Sequence, residues 1–253
     1  MANPVKDKLS RGEEVFGCFV RAVQPEVAEV LVFAGFDFVV VDDEHAMADE
    51  RSIAATVRSI EAASGTAFVR SRTSTEAEAG RLLETGAIGI HLPQVDGPEL
   101  ARQALAAVRY PPAGARGLAT SRRGGYGLTM SLKEYVERAN SELLVIAQIE
   151  SVQAIREVAE IASLPGLNVL FVGLTDLTAD LGIPGDYYNP RVTEALARVG
   201  QVSERAGIVL GVPVTDSDML QRMREFGARY FVANDLRLLG TAAQSFLATC
   251  KAL

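Results

Sequence analysis

Val145-Ile-Ala-Gln-Ile-Glu150 has an echo in Leu170-Phe-Val-Gly-Leu-Thr-Asp176. Each is a short apolar run followed by a carboxylate. A run without polar alternation is a strand buried on both faces, as in a parallel sheet covered by helices. The segment between the two runs, residues 152–162, repeats its apolar residues at helical spacing. The unit is therefore strand, helix, strand.

The same rhythm extends in both directions. Strands are predicted over residues 14–20, 36–42, 67–70, 88–92, 143–149, 169–172, 208–212 and 229–233. After a short leading helix, helices are predicted at residues 25–35, 49–64, 73–85, 97–108, 152–162, 191–205, 216–225 and 237–252. Pro25 suits a first helical turn, and Gly35, Gly65 and Gly86 suit helix ends. Eight alternating units imply a parallel α/β sheet, and a (β/α)8 TIM barrel is the expected closure. An open doubly wound sheet is the alternative. The rhythm breaks at residues 110–129, where two prolines, five glycines, Arg116, Arg122 and Arg123 mark a functional or subunit-contact loop. Ser131 with Glu134 then opens another helix as a capping box.

Composition narrows the class. The 253 residues fit one barrel domain, 1–253, and 48% are apolar, enough for a sizeable core. A net charge of −7 argues against a nucleic-acid surface. No apolar run reaches the roughly 18 residues of a membrane span, and the polar N-terminus lacks a signal core. Cys18 and Cys250 read as reduced packing residues, so a cytoplasmic protein is expected.

In such a barrel, chemistry gathers at the C-terminal ends of the strands. Those ends carry Asp42, Asp43, Glu44 and His45, then Arg70 and Arg72, His91, Gln148 and Glu150, Thr175 and Asp176, and Asn234 and Asp235. Glu150 and Asp176 at one edge suggest a divalent metal held by oxygen ligands. Each residue also has a structural alternative. Glu150 and Asp176 could cap helices, Arg70 could pair with either acid, and His45 could be a surface residue. His91, inside an apolar strand, reads as packed or hydrogen-bonded.

Together these groups suit enolate chemistry. A cation on two carboxylates could take a 2-oxo acid through its carboxylate and carbonyl. Arg70 could meet the developing oxyanion. Backbone N–H groups of Gly173-Leu-Thr-Asp176 could hold the carboxylate. A neutral histidine could move the C4 hydroxyl proton. The rival imine route needs a lysine, and Lys6, Lys8, Lys133 and Lys251 all lie away from strand ends.

At this point the motifs resemble a known family. Asp42-Asp-Glu-His-Ala46, residues 82–93 with their Gly-Ala and terminal Pro, Pro112-Ala-Gly-Ala-Arg-Gly117, Ala147-Gln-Ile-Glu-Ser151 and Gly173-Leu-Thr-Asp-Leu177 look like the class II pyruvate aldolases of the HpcH/HpaI group. These include 4-hydroxy-2-oxoheptanedioate and 2-dehydro-3-deoxyglucarate aldolases. The resemblance implies His45 as acid/base, Arg70 as enolate stabiliser, and Glu150 and Asp176 as ligands of Mg2+, Mn2+ or Co2+. Gln148 and the backbone at Thr175 and Asp176 would contact the 2-oxo acid. Glu84 stands where the family has an aspartate reaching a neighbouring subunit's histidine, and Asp42 is a second partner for His45. Asp43 replaces a glycine, and Leu174-Thr175 replaces a Pro-Ser or Pro-Ala pair.

The resemblance also implies a homohexamer, a trimer of dimers that exchange their C-terminal helices. Arg123 is then a candidate for the distal acid of a substrate. The expected reaction splits 4-hydroxy-2-oxo acids into pyruvate and an aldehyde. The alternatives are an acyl-CoA lyase like the citrate lyase β-subunit or malyl-CoA lyase, and a non-catalytic barrel that binds a dicarboxylate.

Overall fold

The computed structural model describes residues 3–74 and 76–252. Eight parallel strands close into one barrel: β1 Val15–Val20, β2 Phe38–Asp42, β3 Ala67–Arg70, β4 Gly89–Leu92, β5 Leu144–Ile149, β6 Val169–Val172, β7 Val209–Pro213 and β8 Ala228–Asn234. Their order is sequential and β1 pairs with β8, which excludes the open doubly wound sheet.

The predicted periodicity has a direct physical result. Alternate strand residues, among them Val15, Phe19, Phe38, Val40, Phe68, Ile146, Phe171 and Tyr230, fill the barrel. The other set, with Val39, Val41, Val69, Ile90 and Val145, packs under the surrounding helices. Two glycines make the interior possible. A Cβ on Gly17 would lie 2.1 Å from the Phe38 ring, and one on Gly89 would lie 2.4 Å from Phe68. Relieved of that clash, Phe38 stacks between Phe68 and Tyr230 at centroid distances of 4.9 and 4.7 Å.

The helices are α1 Pro4–Ser10, α2 Pro25–Phe33, α3 Glu50–Ala62, α4 Glu76–Leu82, α5 Pro98–Ala107, α6 Leu132–Glu142, α7 Val152–Ala162, α8 Leu174–Asp180, α9 Pro190–Ala206, α10 Ser217–Glu225 and α11 Asp235–Lys251. Side chains of Asp49, Ser131, Ser151 and Asp216 cap α3, α6, α7 and α10. Ser131 and Glu134 form the expected capping box. Helix α1 plugs the barrel's N-terminal end through Val5 and Leu9. Buried Asn3 fixes it there by donating to the Ile88 and Glu142 carbonyls.

Some boundaries differ from expectation. The helix predicted at 73–85 is shorter: α4 runs into a 3-10 turn, Leu83–Thr85, ended by Gly86 at φ 109°. Thr75 lies outside the described residues. Residues 122–127 of the glycine-rich loop form a 3-10 segment. Helix α11 starts two residues early, because the Asn234 side chain caps it by accepting from the Arg237 N–H. Beyond Asp235 this helix is exposed, with Leu236, Leu238, Leu239, Phe246 and Leu247 facing outward. Among the described residues no helix is long and apolar enough to cross a membrane.

Candidate active site

The C-terminal mouth of the barrel carries two groups on opposite sides. The first sits on β5 and β6. Glu150 follows β5 directly, and its buried carboxylate is held at both oxygens. Oε1 accepts from the Gln94 N–H at 2.6 Å and Oε2 from Gln148 Nε2 at 2.9 Å. Ser151, not Glu150, caps α7, so the capping alternative for Glu150 falls away. Gln94 donates from the left-handed region, at φ 52°, a conformation costing about 1–2 kcal/mol for a side-chain-bearing residue. Its neighbour Val95 is sewn to the Gln148 carbonyl at 3.1 Å. No sequence motif marks Gln94, since its contribution is a backbone N–H.

Asp176 lies in the first turn of α8, beyond Gly173. Gly173 fits because it has no side chain: a Cβ there would meet Glu150 Oε2 at 2.3 Å. Its backbone N–H is not free for a ligand, contrary to expectation, because it donates to the Ile149 carbonyl at 3.2 Å. The first-turn amides that remain are those of Leu174, Thr175 and Asp176, and α8 has no side-chain cap to take them. Thr175 Oγ1 lies 3.3 Å from the Tyr187 hydroxyl.

The second group sits on β2 and β3. Asp42 is fully buried and grips Arg70 through two bonds, Nε to Oδ1 at 2.8 Å and Nη2 to Oδ2 at 2.6 Å. Arg70 Nη1 pairs with Glu44 Oε2 at 3.0 Å, and the guanidinium lies 4.4 Å over the Phe19 ring. Arg70 is thus an ion-pair partner, but of Asp42 and Glu44 and not of Glu150 or Asp176. Asp42 Oδ1 also accepts the Glu44 and His45 backbone N–H groups, at 3.0 and 3.3 Å. Asp42 therefore shapes the turn that carries His45 and leaves the imidazole to others. The ring Nε2 lies 3.8 Å from Glu44 Oε2.

Electrostatics follow from burial. Desolvation pushes the Glu44 carboxyl up to about 7; Arg70 opposes this, while Glu150, Asp42 and Asp176 add to it. Burial also raises Glu150; the Gln94 and Gln148 donors pull it back, and the Asp176 charge pushes it up again. His45 is lowered by burial and then by Arg70, against the pull of Asp42 and Asp176. Neutral imidazole is its resting form at neutral pH.

Below the mouth, His91 is buried and holds the Tyr230 hydroxyl at 2.7 Å from Nε2, edge-on to Phe19 and Phe171. It is a packed, hydrogen-bonded residue, as its apolar strand implied. Two expected residues are not brought to the mouth within this chain. Glu84 pairs with Arg116 at 2.6 Å and lines a cleft of about 500 Å³ shared with Asp43, Arg58, Arg72, Arg122 and Tyr126. Arg123 is half-buried and committed to the Gly86 carbonyl at 3.1 Å and Glu142 at 3.2 Å, so it works as an internal clamp.

The donor set on β5 and β6 fits a divalent cation. Both carboxylates offer oxygen, the ligand of hard ions, and a cation would offset the burial of Glu150. Gln148 Oε1 is buried without a hydrogen-bond partner, so a polar group is wanted beside it. The set is a carboxylate pair; among the described residues no group of three or more His, Cys, Asp and Glu side chains has metal-holding geometry.

A closed (β/α)8 barrel with acids, an arginine and a neutral histidine converging on its C-terminal mouth has the form of a barrel enzyme. The chain belongs to the HpcH/HpaI aldolase/citrate lyase family, whose model matches residues 15–237, and is a carbon–carbon lyase of the aldolase kind. It is 34% identical over 235 residues to a hydroxypyruvate/pyruvate aldolase of Paraburkholderia phytofirmans, covering 90% of this chain and 89% of that one. It is 31% identical over 251 residues to a 4-hydroxy-2-oxo-heptane-1,7-dioate aldolase of Salmonella dublin, covering 98% and 94%. A crystal structure of a family member from Burkholderia cenocepacia superposes with a TM-score of 0.93 at 32% identity, covering 99% of this chain and all of that one.

Proposed function

We propose that the chain is a metal-dependent aldolase that reversibly cleaves 4-hydroxy-2-oxo acids to pyruvate and an aldehyde. The observation that carries this is the pairing of Glu150 and Asp176 at adjacent strand ends, across the mouth from Arg70 and His45. Glu150 and Asp176 would hold Mg2+, Mn2+ or Co2+, which when bound supplies Lewis-acid charge to the 2-oxo acid. The amides of Thr175 and Asp176 bind the substrate carboxylate, and Gln148 orients the 2-oxo group. Neutral His45 takes the proton of the C4 hydroxyl. The C3–C4 bond breaks, its electron pair passes into the enolate, and the C4 oxygen becomes the aldehyde carbonyl. Arg70, held in place by Asp42 and Glu44, meets the enolate oxyanion. The enolate then takes a proton from solvent at C3 to give pyruvate, and His45 releases its proton to solvent.

In this reading the protein is a homo-oligomer, a hexamer built as a trimer of dimers. The outward leucines of α11 support an exchange of that helix between subunits. Glu84, turned away from its own mouth, would then serve the histidine of a neighbour.

The test is pyruvate release from 4-hydroxy-2-oxoheptanedioate and from 2-keto-3-deoxy sugar acids, followed by coupled lactate dehydrogenase. EDTA should abolish turnover, and Mg2+, Mn2+ or Co2+ should restore it. No pyruvate from any substrate, with metal demonstrably bound, refutes the assignment, and turnover of an acyl-CoA ester would replace it.

A further inference from the structure

Arg21 follows β1 and has no part in the site so far. The pleat of β1 turns Val15 and Phe19 into the barrel, and Arg21 is the next residue but one in that alternation, above Phe19 at the mouth. Its backbone is fixed from behind. The buried Asp235 carboxylate accepts both the Arg21 and the Ala22 N–H, at 3.1 and 3.0 Å. The side chain itself is exposed and reaches from the end of β1 to the turn after β2, where Nη2 donates to the His45 carbonyl at 3.3 Å.

Its charge is what sets it apart. Other arginines at this mouth and its flank are met by acids: Arg70 by Asp42 and Glu44, Arg72 by Asp43, Arg116 by Glu84, Arg122 by Glu61 and Arg123 by Glu142. Among the described residues no carboxylate lies within 4.0 Å of the Arg21 guanidinium. One of its five N–H donors is spent on a carbonyl. Among the described residues, a guanidinium without an ion-pair partner thus stands beside His45, on a mouth that also carries Asp42, Glu44, Glu150 and Asp176.

The barrel order sets its direction relative to the ligand. Strands β1 and β2 lie across the barrel from β5 and β6. A substrate whose 2-oxo acid end lies at Glu150 and Asp176 passes its C4 hydroxyl to His45, and its remaining atoms extend towards Arg21. We propose that Arg21 binds an anionic group, a carboxylate or a phosphate, carried beyond C4 on the aldehyde half of the substrate. This rests on the aldolase reading and assigns acceptor selectivity to one residue of it. Arg123, the candidate that the family resemblance suggests for a distal acid, is taken up by Glu142 and the Gly86 carbonyl.

The experiment measures aldol addition of pyruvate, with Mn2+ or Co2+, to matched acceptors: succinic semialdehyde against butanal, and glyceraldehyde 3-phosphate against glyceraldehyde. The intact protein is compared with Arg21→Gln and Arg21→Lys. The anionic-to-neutral ratio of kcat/KM should fall at least about tenfold in Arg21→Gln, chiefly through KM, the scale of a lost charge-assisted hydrogen bond. Arg21→Lys should keep part of it. The pair whose ratio collapses tells carboxylate from phosphate. A ratio that stays put in both pairs, or an equal loss for charged and neutral acceptors, overturns the assignment. Deuterium exchange at C3 of pyruvate, which needs no acceptor, is run on the wild type. Exchange with an unchanged ratio refutes Arg21 alone; no exchange with any metal refutes the aldolase reading itself.

Discussion

Replacing Gly173 by alanine should damage the site while sparing the fold. The backbone there, φ −77° and ψ 89°, lies on the side of φ that alanine adopts freely, so little conformational strain is added. The added methyl is the perturbation. Its position lies 2.3 Å from Glu150 Oε2, 2.9 Å from Glu150 Cβ and 3.3 Å from Cδ. Ordinary contact begins near about 3.5 Å, so the carboxylate must move by roughly 1 Å. It cannot do so without cost, because Gln94 and Gln148 hold its two oxygens. Loss of one such bond costs about 1–2 kcal/mol, or about 2–8 °C in Tm for a chain of this size. A displacement of about 1 Å at a reacting centre costs on the order of 100-fold in rate. Calorimetric titration with Mn2+ and pyruvate release should therefore both fall, with affinity weakened about 10- to 100-fold. Mn2+ affinity and turnover both within about threefold of wild type would refute the placement of the metal at Glu150.

Arg70→Ala should lower turnover by about 100- to 1000-fold, the scale of one lost oxyanion donor; a loss under about tenfold in steady-state kinetics would exclude that role. His45 should titrate below its usual 6.5, because burial and Arg70 disfavour the imidazolium. With the neutral ring as the proposed base, activity should be present at pH 7 and lost as pH falls through that lowered midpoint. Ring-proton NMR that places the midpoint above 6.5 would contradict it. In Arg70→Ala the same midpoint should move up, since one of the lowering charges is gone.

The strands and their order were legible because each is a compact apolar run bounded by a helix signal, and closure followed from counting eight. Glu150 and Asp176 were legible for the same reason: a carboxylate at the end of a buried run stands out. Other parts depend on directions that periodicity does not encode. The Asp42 carboxylate turns back onto Arg70 and onto two backbone amides, so its value lies in shaping a turn rather than in touching a ring. Glu44 enters the Arg70 pair because the chain bends immediately after β2. Gly173 reads in the sequence as part of a backbone cradle for a carboxylate, but its amide is taken by the Ile149 carbonyl and its use is the absence of a Cβ beside Glu150, a contact between neighbouring strands. Arg21 had one available signal, its place two residues beyond Phe19 in the inward alternation. Residues 110–129 read as irregular from their prolines and glycines, but the direction of their arginines is not encoded there: Arg116 ties to Glu84, Arg122 to Glu61 and Arg123 to Glu142.

Asp235 closes the barrel in a mechanical sense as well as a chemical one. It is the first residue of α11, yet its carboxylate holds the two amides just past β1. The seam between the first and last strands is thereby pinned at the mouth by the root of the helix that leaves the barrel. That helix is a lever about 25 Å long at 1.5 Å per residue, and its pivot is the turn that aims Arg21. Any force that grips the exposed leucines is delivered first to that pivot. If α11 carries the assembly proposed above and Arg21 the acceptor selectivity, the two would share a single joint, and a change made far out on α11 should be felt at the mouth before it is felt in the core.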